Sequence, residues 1–331
     1  DNPKILGLGE VMNYPGVVAA DDSILDKLDT CWKRGKIIDG HIPSISGQGL
    51  DAYLSTLIST DHECETPEEL VEKTGKGMYV LLRQGTVCKN VEALVPGINE
   101  NNWRRCLFCT DDRQPQSILR EGHLSYGVNL AIKAGLDPYR AIACATINAS
   151  DCYGLKERGA IAPGRFADFF LTERIDEIKP ISVFVSGEKV AENGKILKRS
   201  PHVVPEKVEG AVRVKDLSLS LFSLPLTSDR ARVIRILPGG VVTAKDEAVV
   251  KRDERGEWVH EKDKDILKIT VIERHNNTGY HASALISGYG LKHGAIASTI
   301  AHDSHHVIVI GDNDEDMPLA VESLKEKGGG I

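Results

Sequence analysis

Four times within the first half of the chain, a short apolar run stops at side chains able to bind a metal or move a proton. Ile5 to Gly9 runs into Glu10, and Ile37 to Gly40 into His41. Leu57 to Thr60 runs into Asp61-His62-Glu63, and Arg105 to Cys109 into Thr110-Asp111-Asp112. Each run has the length of a strand, and a stretch of helical character follows it. Asp22 to Arg34 carries Ile24, Leu25, Leu28 and Trp32 at helical spacing. Thr66-Pro67-Glu68-Glu69 reads as a helix start, with a Thr N-cap, Pro in the first turn and Glu placed for a capping box. Met78 to Arg83 reads as one more strand. Further helices are expected over Gly49 to Thr56, Val87 to Leu94, Ser117 to Ala134, and Asp137-Pro138 through Ala145. Such alternation predicts strand–helix units and a parallel sheet. Reactive residues at strand ends suit the ligand face of a (β/α)8 barrel, and a doubly wound sheet places ligands in the same way. The visible units are too few for a whole barrel, which would need more chain before Asp1.

Around Gly159 the texture changes. Gly159-Ala160-Ile161-Ala162-Pro163-Gly164 is rich in turn formers, and Ala167 to Leu171 reads as a buried strand. Ile181 to Ser186 and Glu188 to Val190 flank Gly187 as a hairpin would. Ser200 to Pro205 reads as a linker. Beyond it, strands are expected at Val233 to Leu237, Gly240 to Thr243, Ile266 to Glu273, Ala282 to Ile286 and Val307 to Ile310. Helices are expected at Gly294 to Ile300 and Asp316 to Lys327. This last stretch reads as a separate α+β domain.

Composition narrows the function classes. With 41 basic and 48 acidic residues the net charge is −7, which argues against a nucleic-acid binder. No apolar run approaches the ~20 residues of a membrane helix, and the apolar content of 41% is that of a globular protein. The seven cysteines fit a reducing, cytoplasmic setting better than a disulfide framework. Cys106 and Cys109 have metal-site spacing, yet no second pair follows at zinc-ribbon distance, so buried packing is expected of them. The chain opens on Asp1-Asn2-Pro3 and closes on Gly328-Gly329-Gly330-Ile331, and both ends read as cut.

Glu10, His41, His62 and Asp111 could all face one rim. Imidazole nitrogen and carboxylate oxygen suit Zn, Mn or Fe, and a carboxylate can bridge two cations. Glu63, beside His62, could shuttle a proton. Asp111-Asp112-Arg113 could place one carboxylate at metal and water, with Arg113 orienting its neighbour; a surface ion pair is the plainer reading.

Gly9-Glu10-Val11-Met12-Asn13, Asp39-Gly40-His41-Ile42-Pro43, Ser59-Thr60-Asp61-His62-Glu63-Cys64 and Phe108-Cys109-Thr110-Asp111-Asp112-Arg113 resemble the strand-end motifs of the microbial adenine deaminases, within the amidohydrolase superfamily. Gly159 to Gly164, with Ala167-Asp168, resembles the superfamily element where the chain leaves the barrel for a small β domain. Glu273-Arg274-His275, Gly294 to Ser298 and Ala301-His302-Asp303-Ser304-His305 resemble the C-terminal domain of that family.

The resemblance implies an α/β fold: part of a (β/α)8 metal-dependent hydrolase barrel over 1–158, a small β domain segment and linker over 159–204, and a C-terminal α+β domain over 205–331. It implies a binuclear divalent centre of Mn or Fe, with Zn as an alternative. Glu10 would bridge, His41 and His62 would be ligands, and Asp111 would lie at a metal-bound hydroxide as general base. The hydroxide would attack C6 of adenine. Glu63 would protonate the ring and the leaving ammonia, giving hypoxanthine. Asp112, Arg113, His302, Asp303 and His305 are candidates for substrate binding or support, although a hydrogen-bonded structural loop is the plainer reading of the last three. The chain departs from the family pattern in two places: no His-x-His pair precedes Glu10, and His306 stands where the family has Asn. Without that pair the chain alone is expected to be inactive. The expected partner is a small nucleobase, with no nucleic acid and no membrane, in a homo-oligomer. The competing readings are an amidohydrolase of cyclic amides or N-acyl groups, and a non-catalytic fragment or structural homologue.

Overall fold

The computed structural model describes all residues except 1, 3, 200, 202–209, 211, 216, 238–242 and 303. Its contacts divide the chain into two units, residues 1–200 and 201–331. The first opens with β1 (Gly7–Val11), α1 (Tyr14–Val18), α2 (Asp22–Trp32), β2 (Ile37–Gly40), α3 (Gly47–Leu54), β3 (Thr60–Asp61), α4 (Pro67–Gly75) and β4 (Tyr79–Arg83). It continues with α5 (Val91–Leu94), β5 (Cys106–Cys109), α6 (Pro115–Glu121), α7 (Leu124–Lys133), α8 (Pro138–Ala145) and α9 (Ile147–Cys152). These five strands pair in parallel, β1 with β2 and β3-β4-β5 in order. Mixed α/β structure with parallel strands is therefore present. The described residues form two parallel ladders rather than a closed barrel.

Side chains stitch the two ladders together. The Gly40 amide donates to Thr60 Oγ1 at 2.9 Å, and the Ile42 amide donates to Asp61 Oδ1 at 2.8 Å. The approach is close enough that a Cβ on Gly40 would lie 2.1 Å from the Thr60 carbonyl oxygen, so only glycine fits there. β3 is shorter than its apolar run because Leu57 takes a left-handed φ of 67°, which breaks the extended chain before Thr60.

Strand β4 is buried on both faces, as parallel strands under helices are. Val80 and Leu82 pack with Leu70 and Val91, and Leu81 packs with Leu107 and Cys152. Cys106 and Cys109, three apart on β5, fall on opposite faces and cannot share a metal; Cys106 is buried in the first of these clusters and Cys109 packs against the second.

Thr66 caps α4 as expected, its Oγ1 accepting from the Glu69 amide at 3.3 Å. Glu69 reaches back one residue further than a capping box would, to the Glu65 amide at 2.8 Å. The same helix delivers Lys73 into the interior. Lys73 and Asp61 are 1% and 0% exposed, with Nζ 2.8 Å from Asp61 Oδ2 and 2.8 Å from the Ile42 carbonyl. A charge pair this deep is held by further hydrogen bonds beyond the mutual attraction.

Several expectations are corrected. The single helix expected over Ser117 to Ala134 is two, broken at Gly122 (φ 100°), whose carbonyl accepts from Arg113 Nε. The helix expected from Val87 starts at Val91, because Gln84 and Lys89 form an antiparallel bridge and Asp112 holds the Val87 amide. The strand expected to be buried from Ala167 is β6 (Phe169–Leu171), and it is partly exposed. It joins β7 (Ser182–Val185), β8 (Glu188–Glu192) and β9 (Lys195–Ile196) in a four-stranded antiparallel sheet. Ser186 and Gly187, both at positive φ, make the turn between β7 and β8.

The second unit contains β10 (Arg230–Ile236), β11 (Thr243–Val249), β12 (Lys251–Arg252), β13 (Trp258–Val259), β14 (Ile266–Ile272), β15 (His281–Ser287), β16 (Ala295–Ser298), β17 (Val307–Gly311) and α10 (Asp316–Lys327). Six strands form one sheet in the order β11-β10-β15-β14-β17-β16, and Met317, Val321 and Leu324 of α10 pack on it. The helix expected at Gly294 to Ile300 is strand β16. It pairs antiparallel with β17, Ile296 opposite Ile310, and buries Ala297 beneath α10. The linker expected from Ser200 to Pro205 lies outside the described residues apart from Pro201, and so does the start of the strand expected from Gly240. Among the described residues no helix is long and apolar enough to cross a membrane.

Two predictions follow from the packing. Lys73→Met leaves Asp61 buried and unpaired and should cost about 3–5 kcal/mol of unfolding free energy in urea titrations. Adding Asp61→Asn should recover part of that loss; a single variant as stable as wild type would contradict the account. In the second unit, the Glu273 carboxylate accepts from the amides of Thr278, Asn276 and His275, which draws its pKa from 4.5 down to about 2. A depressed carboxylate pKa stabilises the fold above the ordinary value and loses that contribution as pH falls through the folded one. The protection factors of the His275, Asn276 and Thr278 amides, which correct for the intrinsic pH dependence of exchange, should therefore be high at neutral pH and fall as the pH drops from 4.5 to about 2.

Candidate metal centre

β1 presents Glu10, the residue after β2 is His41, and the residues after β3 are His62 and Glu63. Parallel pairing brings these ends together. His41 Nδ1 lies 2.7 Å from Glu10 Oε1, and His62 Nε2 lies 2.9 Å from the same oxygen. The two imidazoles meet edge to face with centroids 5.4 Å apart. Glu63 Oε1 stands 3.3 Å from His62 Nε2 and 3.6 Å from His41 Nδ1. One donor atom from each of Glu10, His41 and His62 lies within 4.8 Å of the others, and the same holds for His62, Glu63 and Asp111.

Hydrogen bonds from His41 and then His62 hold the Glu10 carboxyl well below the usual carboxylate range, against the opposing effect of burial. Burial disfavours a charge on His62, but the hydrogen bond and charge of Glu10, with Asp61 and Glu63 adding, outweigh it and raise its pKa. A carboxylate oxygen shared by two ring nitrogens is a donor set for a divalent cation of borderline hardness, so the residues present fit the metal that this chemistry calls for.

The supports of these groups run through the core. Tyr53 Oη accepts from the His41 amide at 2.9 Å. Asp61, held by Lys73, accepts from the Ile42 amide and so ties the residue after His41 to the residue before His62. Asn90 donates to the Cys64 carbonyl at 2.8 Å and accepts from the Arg83 amide at 2.6 Å. Arg83 donates from Nη1 to Asp111 Oδ2 at 2.8 Å and to Glu63 Oε1, and from Nη2 to Glu63 Oε2 at 3.1 Å. Asp111 has a φ of 48°, a conformation in which few non-glycine residues are found.

The candidates thus divide. Glu10, His41, His62, Glu63 and Asp111 converge. Asp112 braces a loop instead, its Oδ2 accepting from the Val87 amide at 2.7 Å. Arg113 does not serve its neighbour; it pairs with Glu121 at 2.8 Å, donates to the Gly85 and Gly122 carbonyls, and lies over the Tyr126 ring. His302 and His305 lie in the second unit, in the loop before β17, with ring centroids 6.0 Å apart. The His305 carbonyl accepts from Arg274 Nε at 2.6 Å, which suits a structural loop. Asp303 lies outside the described residues. Sequence reading gave no role to Arg83, Lys73 and Asn90, and named Asp61 only as part of a strand-end motif. Of these, Arg83 and Asp61 carried a signal, since each stands at the end of an apolar run.

A family model described as the amidohydrolase family matches residues 1–190, and one described as the adenine deaminase C-terminal domain matches residues 240–331. An adenine deaminase 2 of Desulfotalea psychrophila is 47% identical over 328 residues, which cover 99% of this chain and 57% of that protein. An adenine deaminase of Nitratidesulfovibrio vulgaris strain DP4 is 44% identical over 331 residues, covering 100% and 57%. The chain spans 57% of the length of both relatives. A solved β-aspartyl dipeptidase of Fervidobacterium islandicum AW-1 is 16% identical with a TM-score of 0.47, over 60% of this chain and 61% of that one. With more than half of its residues under one family model, the chain belongs to the amidohydrolase family.

Proposed function

We propose that this chain carries metal-binding and proton-transfer residues of a hydrolase that converts adenine to hypoxanthine and ammonia. The observation that carries the reading is the meeting of Glu10, His41 and His62 around one carboxylate oxygen, with Glu63 and Asp111 beside them. Relatives named adenine deaminase along the whole chain support it, and so does the C-terminal domain match. Residues 1–158 are read as part of a metal-dependent hydrolase barrel, 159–204 as part of a small β domain, and 205–331 as the α+β domain.

In this reading Glu10, His41, His62 and Asp111 would hold the metal. A binuclear divalent centre, Mn or Fe with Zn as the alternative, would supply Lewis acidity and a water acidified toward neutrality. Asp111 takes the proton of the water that attacks C6. Glu63, enclosed between the histidines and Arg83, passes the two protons given up by that water to the ring nitrogen and to the departing amino group, which leaves as ammonia. Water and adenine are consumed, hypoxanthine and ammonia are produced, and no redox partner is needed.

Two measurements test this in the complete protein carrying the sequence. Glu63→Gln and Asp111→Asn should each cut ammonia release from adenine by roughly 10²–10⁴-fold, the usual worth of a general acid or base. Activity untouched by both would refute the assignment, and a preference for cyclic amides or acyl-amino acids across a substrate panel would replace adenine as substrate. Glu10→Gln and His41→Ala should lower the metal bound per chain, read by elemental analysis after dialysis. Full metal content in both would remove Glu10 and His41 from the ligand set.

A further inference from the structure

Arg83 closes β4 and is 6% exposed. Its guanidinium touches both oxygens of Glu63, which follows β3, and one oxygen of Asp111, which follows β5. Those two strands flank β4 in the ladder, so one side chain spans both neighbouring strand ends. A guanidinium offers donors in fixed planar directions, and a carboxylate that accepts from it is oriented as well as neutralised. Arg83 is itself anchored through Asn90, which takes its amide and ties it to the Cys64 carbonyl on the loop that bears Glu63. The left-handed backbone of Asp111 needs such an external hold to persist.

We propose that Arg83 is a positioning residue that fixes Glu63 and Asp111 relative to one another beside the Glu10–His41–His62 cluster. The kinetic consequence rests on the deaminase reading, in which these two carboxylates handle protons on the same substrate; the geometric claim does not. Without the guanidinium, two carboxylates lose a common partner and can rotate apart, which penalises the transition state more than substrate binding.

The test uses the complete protein as wild type, R83A and R83K, with kinetics on adenine, metal analysis and crystal structures. R83A should lose roughly 100-fold in kcat with KM within about threefold, and added guanidinium should restore about tenfold of it. Metal content should stay at the wild-type level, because Glu10, His41 and His62 are held independently of Arg83. R83K keeps the charge but not the fork, and its kcat should also fall. Wild-type kcat in R83A, a loss that guanidinium does not relieve, or a loss of metal along with activity would each overturn the inference. If R83A fails to fold, R83K decides, and an unchanged kcat there overturns it. A wild-type protein inert toward adenine defeats the deaminase reading alone. Glu63 and Asp111 carboxylates unmoved in the crystal structure of the arginine variant defeat the positioning role whatever the substrate.

Discussion

The buried pair of Lys73 and Asp61 is the constraint on which the first unit turns. Two opposite charges removed from water are tolerable only when further hydrogen bonds accompany their mutual attraction. Here Lys73 takes Asp61 and the Ile42 carbonyl, while Asp61 also takes the Ile42 amide and the Cys64 thiol. One helix and two strand ends are thereby tied at a single point. His41 and His62 are the chain neighbours of the residues so held, which is why their rings have little freedom to separate.

Around that anchor the centre is organised by charge. Glu10 sits between two imidazoles, and Arg83 sits between two carboxylates. Negative and positive groups alternate across the strand ends: the imidazoles hold the Glu10 carboxyl below its usual range, and Glu10 in turn raises the pKa of His62. The same alternation groups Glu10, His41 and His62 on one side and the Glu63 and Asp111 carboxylates, held by Arg83, on the other. Parallel strands make this possible because they deliver the ends of β2, β3, β4 and β5 to one edge.

Much of this was legible in the sequence because a strand end is a local event. Apolar runs stop where the backbone leaves the interior, so Glu10, His41, His62 and Asp111 announced themselves one at a time. The helix start at Thr66 was legible for the same reason. Misreadings arose where the deciding contact is remote. Gly294 to Ile300 has helix-like composition, yet pairing with β17 and cover from α10 make it a strand. Arg113 stands next to two carboxylates in sequence but turns to Glu121, because Gly122 breaks the helix and exposes a carbonyl to it.

The sequence by itself determined which residues end the strands, the alternation that makes the first half parallel, and the chemical kind of the centre. Only the tertiary structure decided that Arg83 bridges Glu63 and Asp111, that Lys73 is an interior residue, and that Glu10 lies between the two histidines. The reason is physical. Polarity and periodicity are properties of a segment, whereas ion-pair partners are chosen by the spacing of neighbouring elements, and that spacing brings together residues 12 to 52 positions apart.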